Sequence, residues 1–408
     1  MSVDPLAYLF SLEQFGIKFG LDNISTLVAR LGHPERTFRS VHIAGTNGKG
    51  SVTAMVDAAL RAAGHRSARF TSPHLIDLSE RFVIDGRPVG QDALVSAVAD
   101  VRDAIADLRA THTLDVQPTF FEVTTAVAFE LFRRARVEVA VIEVGLGGRL
   151  DSTNVIVPVV TAITSIALDH ERYLGSTLGA IAFEKAGIIK PGVPVVVGDL
   201  DPEAAAVIER VARERGAELI RASPRDCSAF TIGLRGAHQI GNAAVAVRVL
   251  ETLDRIGIAV APRAIAAGLA NPEWPGRLDL RQLPGGREML MDAAHNPAGA
   301  AALSSYLQAR GDRLPLVFAA MKDKDIAGMF GAPLPAVSRL YVTRASNPRS
   351  ADPAAIADMA RAIAPSLPIA IVPDPAEAMR AAWLSSPRIV VAGSIFLLGD
   401  VMKQLGGS

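Results

Sequence analysis

Short runs of apolar, often β-branched residues recur along this chain. Between them lie longer stretches in which apolar positions return every three or four residues. The short runs predict strands at 41–44, 137–144, 159–166, 194–197, 288–292, 316–319, 340–343, 369–372 and 389–392. The longer stretches predict helices at 51–63, 91–109, 121–134, 178–186, 202–215 and 298–308. Continuous apolar strands alternating with helices mark an α/β protein whose mostly parallel sheet is covered on both faces. Around residue 275 the pattern breaks at "NPEWPGRLDLRQLPGGRE", rich in Pro and Gly, and then restarts. That break predicts a large domain over 1–277 and a smaller α/β domain over 278–408.

Composition narrows the class. Lys and Arg together number 42, as do Asp and Glu, so the formal net charge is zero. A balance of this kind speaks against nucleic-acid or membrane-surface partners, though it leaves room for a local basic pocket. Cys227 is the one cysteine, so no disulfide can form within the chain, as suits a reducing cytoplasm. The first residues lack the basic region, apolar core and cleavage site of an export signal, and no uncharged run approaches a membrane span. The expectation is a cytoplasmic protein.

Chemistry enters at "VHIAGTNGKGSVTAM". Strand residues 41–44 run into Gly45, Thr46, Asn47, Gly48, Lys49 and Gly50, after which Ser51 opens a helical pattern. Strand, glycine turn and helix N-terminus aim backbone N–H groups and a positive helix end at phosphate. The spelling differs from the usual phosphate loop, because Gly50 separates Lys49 from Ser51. The extra residue alters the shape of the loop and leaves its logic intact. Lys49 would reach the β- and γ-phosphates, and the Ser51 hydroxyl could touch Mg²⁺.

The loop TNGKGS resembles that of the Mur ligase superfamily. "FTSPHLIDLSERF", "EVGLGGRLDSTN", "SIALDH", "FEKAGIIKPG", "WPGR" and "DAAHNPAG" are similar to motifs of folylpolyglutamate synthase and its bifunctional form with dihydrofolate synthase. The resemblance implies a Mur-ligase-like fold with a large P-loop ATPase domain and a smaller C-terminal glutamate-ligase domain. It implies ATP-dependent joining of L-glutamate to dihydropteroate, and to tetrahydrofolate and its polyglutamates, through an acyl phosphate. It also implies a monomer.

Residue by residue, the resemblance implies Mg²⁺ ligands (two ions) at Ser51, Ser72, Glu143, His170 and Lys185, the last as its carbamate. Read by pattern alone, Glu143 is either such a ligand or a partner of Arg149. Ser72 is a turn serine, His170 a structural histidine, and Lys185 a surface lysine paired with Glu184. Asn242, Arg277 and Asp292 match nucleotide contacts, while a helix cap is the plain reading of Gln239 and Asn242. His295, with Asn296, would orient groups near the γ-phosphate. Lys49, His170, Lys185 and His295 are the expected catalytic side chains. The pterin would lie against Leu150, Asp151 and Ser152. The segments Gly16, Ile17, Lys18, Phe19 and Thr119, Phe120, Phe121, Glu122 match dihydropteroate contacts, with aromatic faces suited to a flat ring. Gly16 to Phe19 departs from the family spelling.

Three rivals stay open. One is a synthase that only adds glutamate to folates already made. Another is a Mur ligase acting on a UDP-sugar peptide, against which "SPHL", "GLGGRLDSTN" and "EKAGI" speak. The third is a nucleotide-dependent switch, which has no use for "DAAHNP" in a second domain.

Overall fold

The computed structural model describes residues 4–16, 18–311 and 313–406. Two compact units divide them. The first takes the described residues of Met1–Gly233 and Ile240–Pro272, and the second those of Leu234–Gln239 and Glu273–Ser408.

The strands of the first unit are β1 (Arg39–Ala44), β2 (Ser67–Phe70), β3 (Phe82–Ile84), β4 (Arg87–Pro88), β5 (Val139–Glu143), β6 (Val160–Ile163), β7 (Val195–Val197) and β8 (Leu219–Arg221). They form one sheet in the order β4-β3-β2-β5-β1-β6-β7-β8, antiparallel only at β4-β3-β2. Helices α1 (Pro5–Ser11), α2 (Asp22–Arg30), α3 (Lys49–Ala62), α4 (Gln91–Ala110), α5 (Phe120–Arg134), α6 (Glu171–Leu174), α7 (Leu178–Ala186), α8 (Pro202–Glu214), α9 (His238–Arg255) and α10 (Pro262–Ala270) complete it. Helix α9 starts in the short stretch that belongs to the second unit. β1 and β5 are the central pair, and every residue of β5 is buried, as its unbroken apolar run requires. The core on one side is built on Phe70, Phe82, Phe129 and Phe132.

The second unit holds β9 (Asp279–Leu283), β10 (Arg287–Asp292), β11 (Leu314–Phe318), β12 (Val337–Val342), β13 (Ile369–Ile371) and β14 (Arg388–Ala392) in the order β13-β12-β11-β14-β10-β9. Only β9 runs antiparallel. Helices α11 (Pro297–Ala309), α12 (Ile326–Gly331), α13 (Pro353–Ile363), α14 (Pro375–Ser385) and α15 (Ile395–Gly406) accompany it. No helix among the described residues is long and apolar enough to cross a membrane.

Sequence pattern misses β2, β3, β4, β8 and β9. In β2 the reason is visible. Ser67 and Arg69 are buried polar residues inside the strand. Asp57 of α3 receives both, Ser67 Oγ at 2.6 Å and Arg69 Nη1 at 3.4 Å. A buried partner does the work that an apolar side chain would otherwise do.

The units part after Pro272, ahead of the expected boundary after residue 277. The segment between is tied to its own side. Ala293 N–H donates to Gly276 O at 2.8 Å, and Leu278 N–H to Asp292 Oδ2 at 2.8 Å.

Candidate functional site

Gly45 follows directly on β1, and the chain turns through Gly48 into α3, whose first residue is Lys49. The helix therefore starts two residues before the expected Ser51. Gly48 adopts φ +87°, and a Cβ there would stand 2.2 Å from Asn242 Oδ1. The conformation favours glycine, and a Cβ would push the Asn242 side chain of α9 out of its place.

A second segment grips the loop. Thr46 N–H donates to Ser165 O at 2.7 Å, and Thr164 Oγ to Asn47 O at 2.6 Å. The Thr46 hydroxyl bonds both to Ala167 O and from Ala167 N. These partners lie beyond β6, which ends at Ile163. The predicted strand 159–166 thus stops at Ile163, because 164–167 are spent on the loop, and His170 lies seven residues past it. It stands half-exposed at φ +53° before α6.

Two lysines converge on one carbonyl. Lys49 Nζ donates to Gly45 O at 3.1 Å and to Thr46 O at 3.3 Å, and Lys185 Nζ donates to Gly45 O at 2.9 Å. Lys185 is buried at 4% exposure, which rules out the surface-lysine reading. Burial first, and then the Lys49 charge, bring its amine down to about 7, against weaker opposition from Asp169 and Asp151. Its expected rival partner Glu184 pairs instead with Arg149, Nη2 to Oε1 at 2.8 Å.

That same pair takes Arg149 away from Glu143. Glu143 ends β5 opposite Ile43 of β1, one residue short of Ala44. It is 5% exposed, and its Oε2 accepts from Ser72 N–H at 3.4 Å. Ser72 lies just past β2 at a cis bond to Pro73. Glu143, Ser72, Lys185, Lys49 and Ser51 therefore lie at the ends of β5 and β2, on α7, and on the loop with its helix. Among the described residues, no group of three or more His, Cys, Asp and Glu is arranged to hold a metal.

Asp151 is buried in the glycine-rich turn after β5. Its oxygens accept from Leu146 N (2.8 Å), Thr153 N (3.0 Å) and Thr153 Oγ (2.5 Å). Burial raises its pKa, and those hydrogen bonds oppose the rise. Thr153 Oγ, having donated its proton, accepts from Nε2 of fully buried His42 at 2.8 Å. Ser152 is buried next to Asp151, and Leu150 is partly exposed.

The expected pterin segments divide. Thr119 and Glu122 form a capping box at the start of α5, Glu122 N to Thr119 Oγ at 3.2 Å and Thr119 N to Glu122 Oε2 at 2.7 Å. Phe120 stacks on Phe10 at 6.1 Å between centroids, and Phe121 lies 5.9 Å from Phe70. Phe19 is exposed beside Tyr173. Gly16 has φ +62°, Lys18 is exposed, and Ile17 lies outside the described residues.

On the second unit, Asp292 ends β10 and accepts from Leu278 N (2.8 Å) and Ala294 N (2.9 Å). Burial raises its pKa, with the Arg277 charge opposing. His295 Nδ1 bonds to Ala293 O at 2.8 Å, which places the proton on Nδ1. Asn296 caps α11, its Oδ1 accepting from Gly299 N at 2.8 Å. A cavity of about 780 Å³ in this unit, lined by Lys322, Arg344, Asp352, Asp374, Asp400 and Lys403 among others, was not expected. Its residues come from three separate connecting segments and from within α15, so no local motif announces it. The grip of Thr164 and Ser165 on the loop carried no signal in the sequence either.

Residues 276–395 match the family described as Mur ligase, glutamate ligase domain. The dihydrofolate synthase/folylpolyglutamate synthase of Bacillus subtilis is 37% identical over 353 residues, covering 80% of this chain and 81% of that protein. The folylpolyglutamate synthase of Mycobacterium tuberculosis, solved with ADP and AMPPCP, superposes with a TM-score of 0.88 at 33% identity, over 99% of each chain. E. coli FolC in complex with DHPP and ADP superposes with a TM-score of 0.88 at 30% identity, over 100% of this chain and 98% of that one.

Proposed function

The chain belongs to the dihydrofolate synthase/folylpolyglutamate synthase family of ATP-dependent glutamate ligases, with a Mur-ligase-like fold, and on that premise we propose that it adds L-glutamate both to dihydropteroate and to tetrahydrofolate and its polyglutamates. The observation that carries the reading is the meeting of Lys49 and Lys185 on the Gly45 carbonyl, beside the strand that ends in Glu143.

The acceptor carboxylate attacks the γ-phosphorus of ATP in line. The bond to the β-bridging oxygen breaks, leaving an acyl phosphate and ADP. The amine of glutamate, once it has lost its proton, adds to the acyl carbon; the amide forms and inorganic phosphate leaves. No protein nucleophile is needed, and Cys227 has no part. Thr46, Asn47, Gly48 and Gly50 supply the loop around the phosphates, while Lys49 and the N–H groups opening α3 offset charge on the transferring group. Asn242, packed on Gly48, is assigned to the nucleotide. On the family likeness, Arg277, Asp292 and His295 are each assigned to the nucleotide as well.

Ser51, Ser72, Glu143 and His170 fit Mg²⁺ because most are hard oxygen donors, and the 3.4 Å contact between Ser72 and Glu143 keeps two of them close. Lys185 fits only as a carbamate, since its ammonium would repel the ion. When bound, Mg²⁺ would neutralise charge on the phosphate oxygens. Asp151, Ser152 and Leu150 are assigned to the pterin, and Phe120, Phe121 and the segment from Gly16 to Phe19 to dihydropteroate, while Thr119 and Glu122 hold the helix that presents those rings. The cavity of the second unit suits glutamate. Lys322, Arg344 and Lys403 offer cations for its carboxylates, and Asp352, Asp374 and Asp400 offer anions for its ammonium. The enzyme is expected to act as a cytoplasmic monomer.

The test is phosphate release from ATP with Mg²⁺ and glutamate, run with dihydropteroate, with tetrahydrofolate, and with no acceptor. Turnover with both pterins supports the proposal. Turnover with tetrahydrofolate alone reduces it to the polyglutamating activity, and no rise above the blank overturns it.

A further inference from the structure

We propose that Arg81 is the receptor for the acceptor's carboxylate, the group that is phosphorylated; this rests on the pteroate reading above. Arg81 closes the single-turn helix Leu78–Arg81 and is buried at 8% exposure. Its Nε donates to His74 Nδ1 at 3.0 Å. Arginine cannot accept, so the His74 proton sits on Nε2. The guanidinium carbon lies 5.1 Å from the centroid of Phe120.

The two terminal nitrogens, with four N–H groups, have no acceptor and no ion-pair partner among the described residues. Neither nitrogen is among the fully enclosed unpartnered atoms, so both face space that a ligand can enter, where an anion would offset the burial of the rest of the side chain. The neighbouring carboxylates do not supply one. Glu80 spends both oxygens on the backbone, accepting from Leu75 N (2.7 Å), Ile76 N (2.8 Å) and Asp77 N (2.8 Å). Glu143 accepts from Ser72 N–H. Glu13, Glu143 and Glu80 act on Arg81 only through space, and burial outweighs them, bringing its pKa down to about 10.

Four N–H groups in a planar fork match a carboxylate or a phosphate. The surroundings choose between them. Phe120 lies against the guanidinium, with Phe10 stacked on Phe120. An aromatic wall beside a planar cation suits an aryl carboxylate, the benzoate end of dihydropteroate. Glu143, whose charge acts on Arg81, ends the strand paired with β1, and β1 leads into the loop from which the γ-phosphorus would approach. Arg81 would therefore hold the nucleophilic oxygen at the junction of the two substrates and discriminate against acceptors whose carboxylate is blocked.

The test is equilibrium binding of dihydropteroate and of its carboxamide, in the presence of ADP, to the full chain and to R81M. R81Q is measured alongside and carries the same test should R81M fail to fold. The intact protein is expected to prefer the carboxylate by about 10-fold or more. The variants should bind both compounds alike, at the carboxamide's level, with ADP affinity unchanged within about two-fold. A carboxylate preference that survives in the variants overturns the assignment. So does a loss of ADP affinity equal to the loss of pteroate affinity, because Arg81 would then serve the phosphates. If the intact protein binds neither compound, the pteroate reading itself falls and takes the inference with it.

Discussion

Lys185 is a cation buried where a single backbone carbonyl accepts from it among the described residues. With its amine brought down to about 7 by burial and by Lys49, a large fraction is neutral at neutral pH. Only the neutral amine can attack CO₂, so the carbamate should form more readily as pH rises through 7. Labelled bicarbonate should give a carbamate carbon resonance that is absent from K185M. The sign of the stability effect follows from the same shift. Between about 7 and the ordinary lysine value, the unfolded chain binds a proton that the folded chain lacks, so stability rises with pH over that window. In CO₂-free buffer, the advantage of K185M over the intact protein in denaturant unfolding should shrink from pH 7 to pH 9. Lys49 has a different role. K49M should lower kcat/KM in the phosphate-release assay by about 10²- to 10³-fold, the scale of losing one preorganised donor to transferring charge. Its melting temperature should change little, because Lys49 is only partly buried.

At the scale of the element, the phosphate loop is a turn clamped from outside. Gly48 gives the chain φ +87° and leaves room for Asn242, so G48A adds strain and a collision at 2.2 Å together. The left-handed conformation alone costs a non-glycine residue about 1–2 kcal/mol. ADP affinity measured calorimetrically should fall by at least about 10-fold, and an unchanged affinity would show that Asn242 does not depend on this contact. "GTNGKGS" identified the loop. Its clamp at 164–167 was not legible, because Thr164 and Ser165 belong to an ordinary polar stretch after a strand and meet Asn47 only through the adjacency of β1 and β6. The capping box of α5 was written in the sequence as T-x-x-E at 119–122, yet the resemblance drew those residues toward the pterin instead.

At the scale of the whole molecule, the chain folds into two units, each with its own sheet. The cavity of the second unit is assigned to glutamate, and Arg344 is one of its cations, already 3.3 Å from Asp352 Oδ1. R344M should raise the KM for glutamate by about 10-fold or more and leave ADP binding on the intact chain unchanged. Equal damage to both would place Arg344 in the fold rather than in the site.

Local spelling was enough to determine most of the strands that pair in parallel, the presence of two α/β units, the glycine-rich turn between β1 and α3, and the kinship that names the chemistry. Each of these is written in contiguous residues, where periodicity and glycine spacing reflect the backbone directly. Tertiary structure alone decided which partner each charged side chain takes. It gave Arg149 to Glu184 rather than Glu143, and Lys185 to the Gly45 carbonyl rather than Glu184. It buried Arg81 beside Phe120 with its terminal nitrogens unmatched, and it drew 276–278 to the end of β10. Pairings of this kind join residues far apart in the chain. Their energies depend on burial and distance, and neither exists until the sheet has brought the strands together.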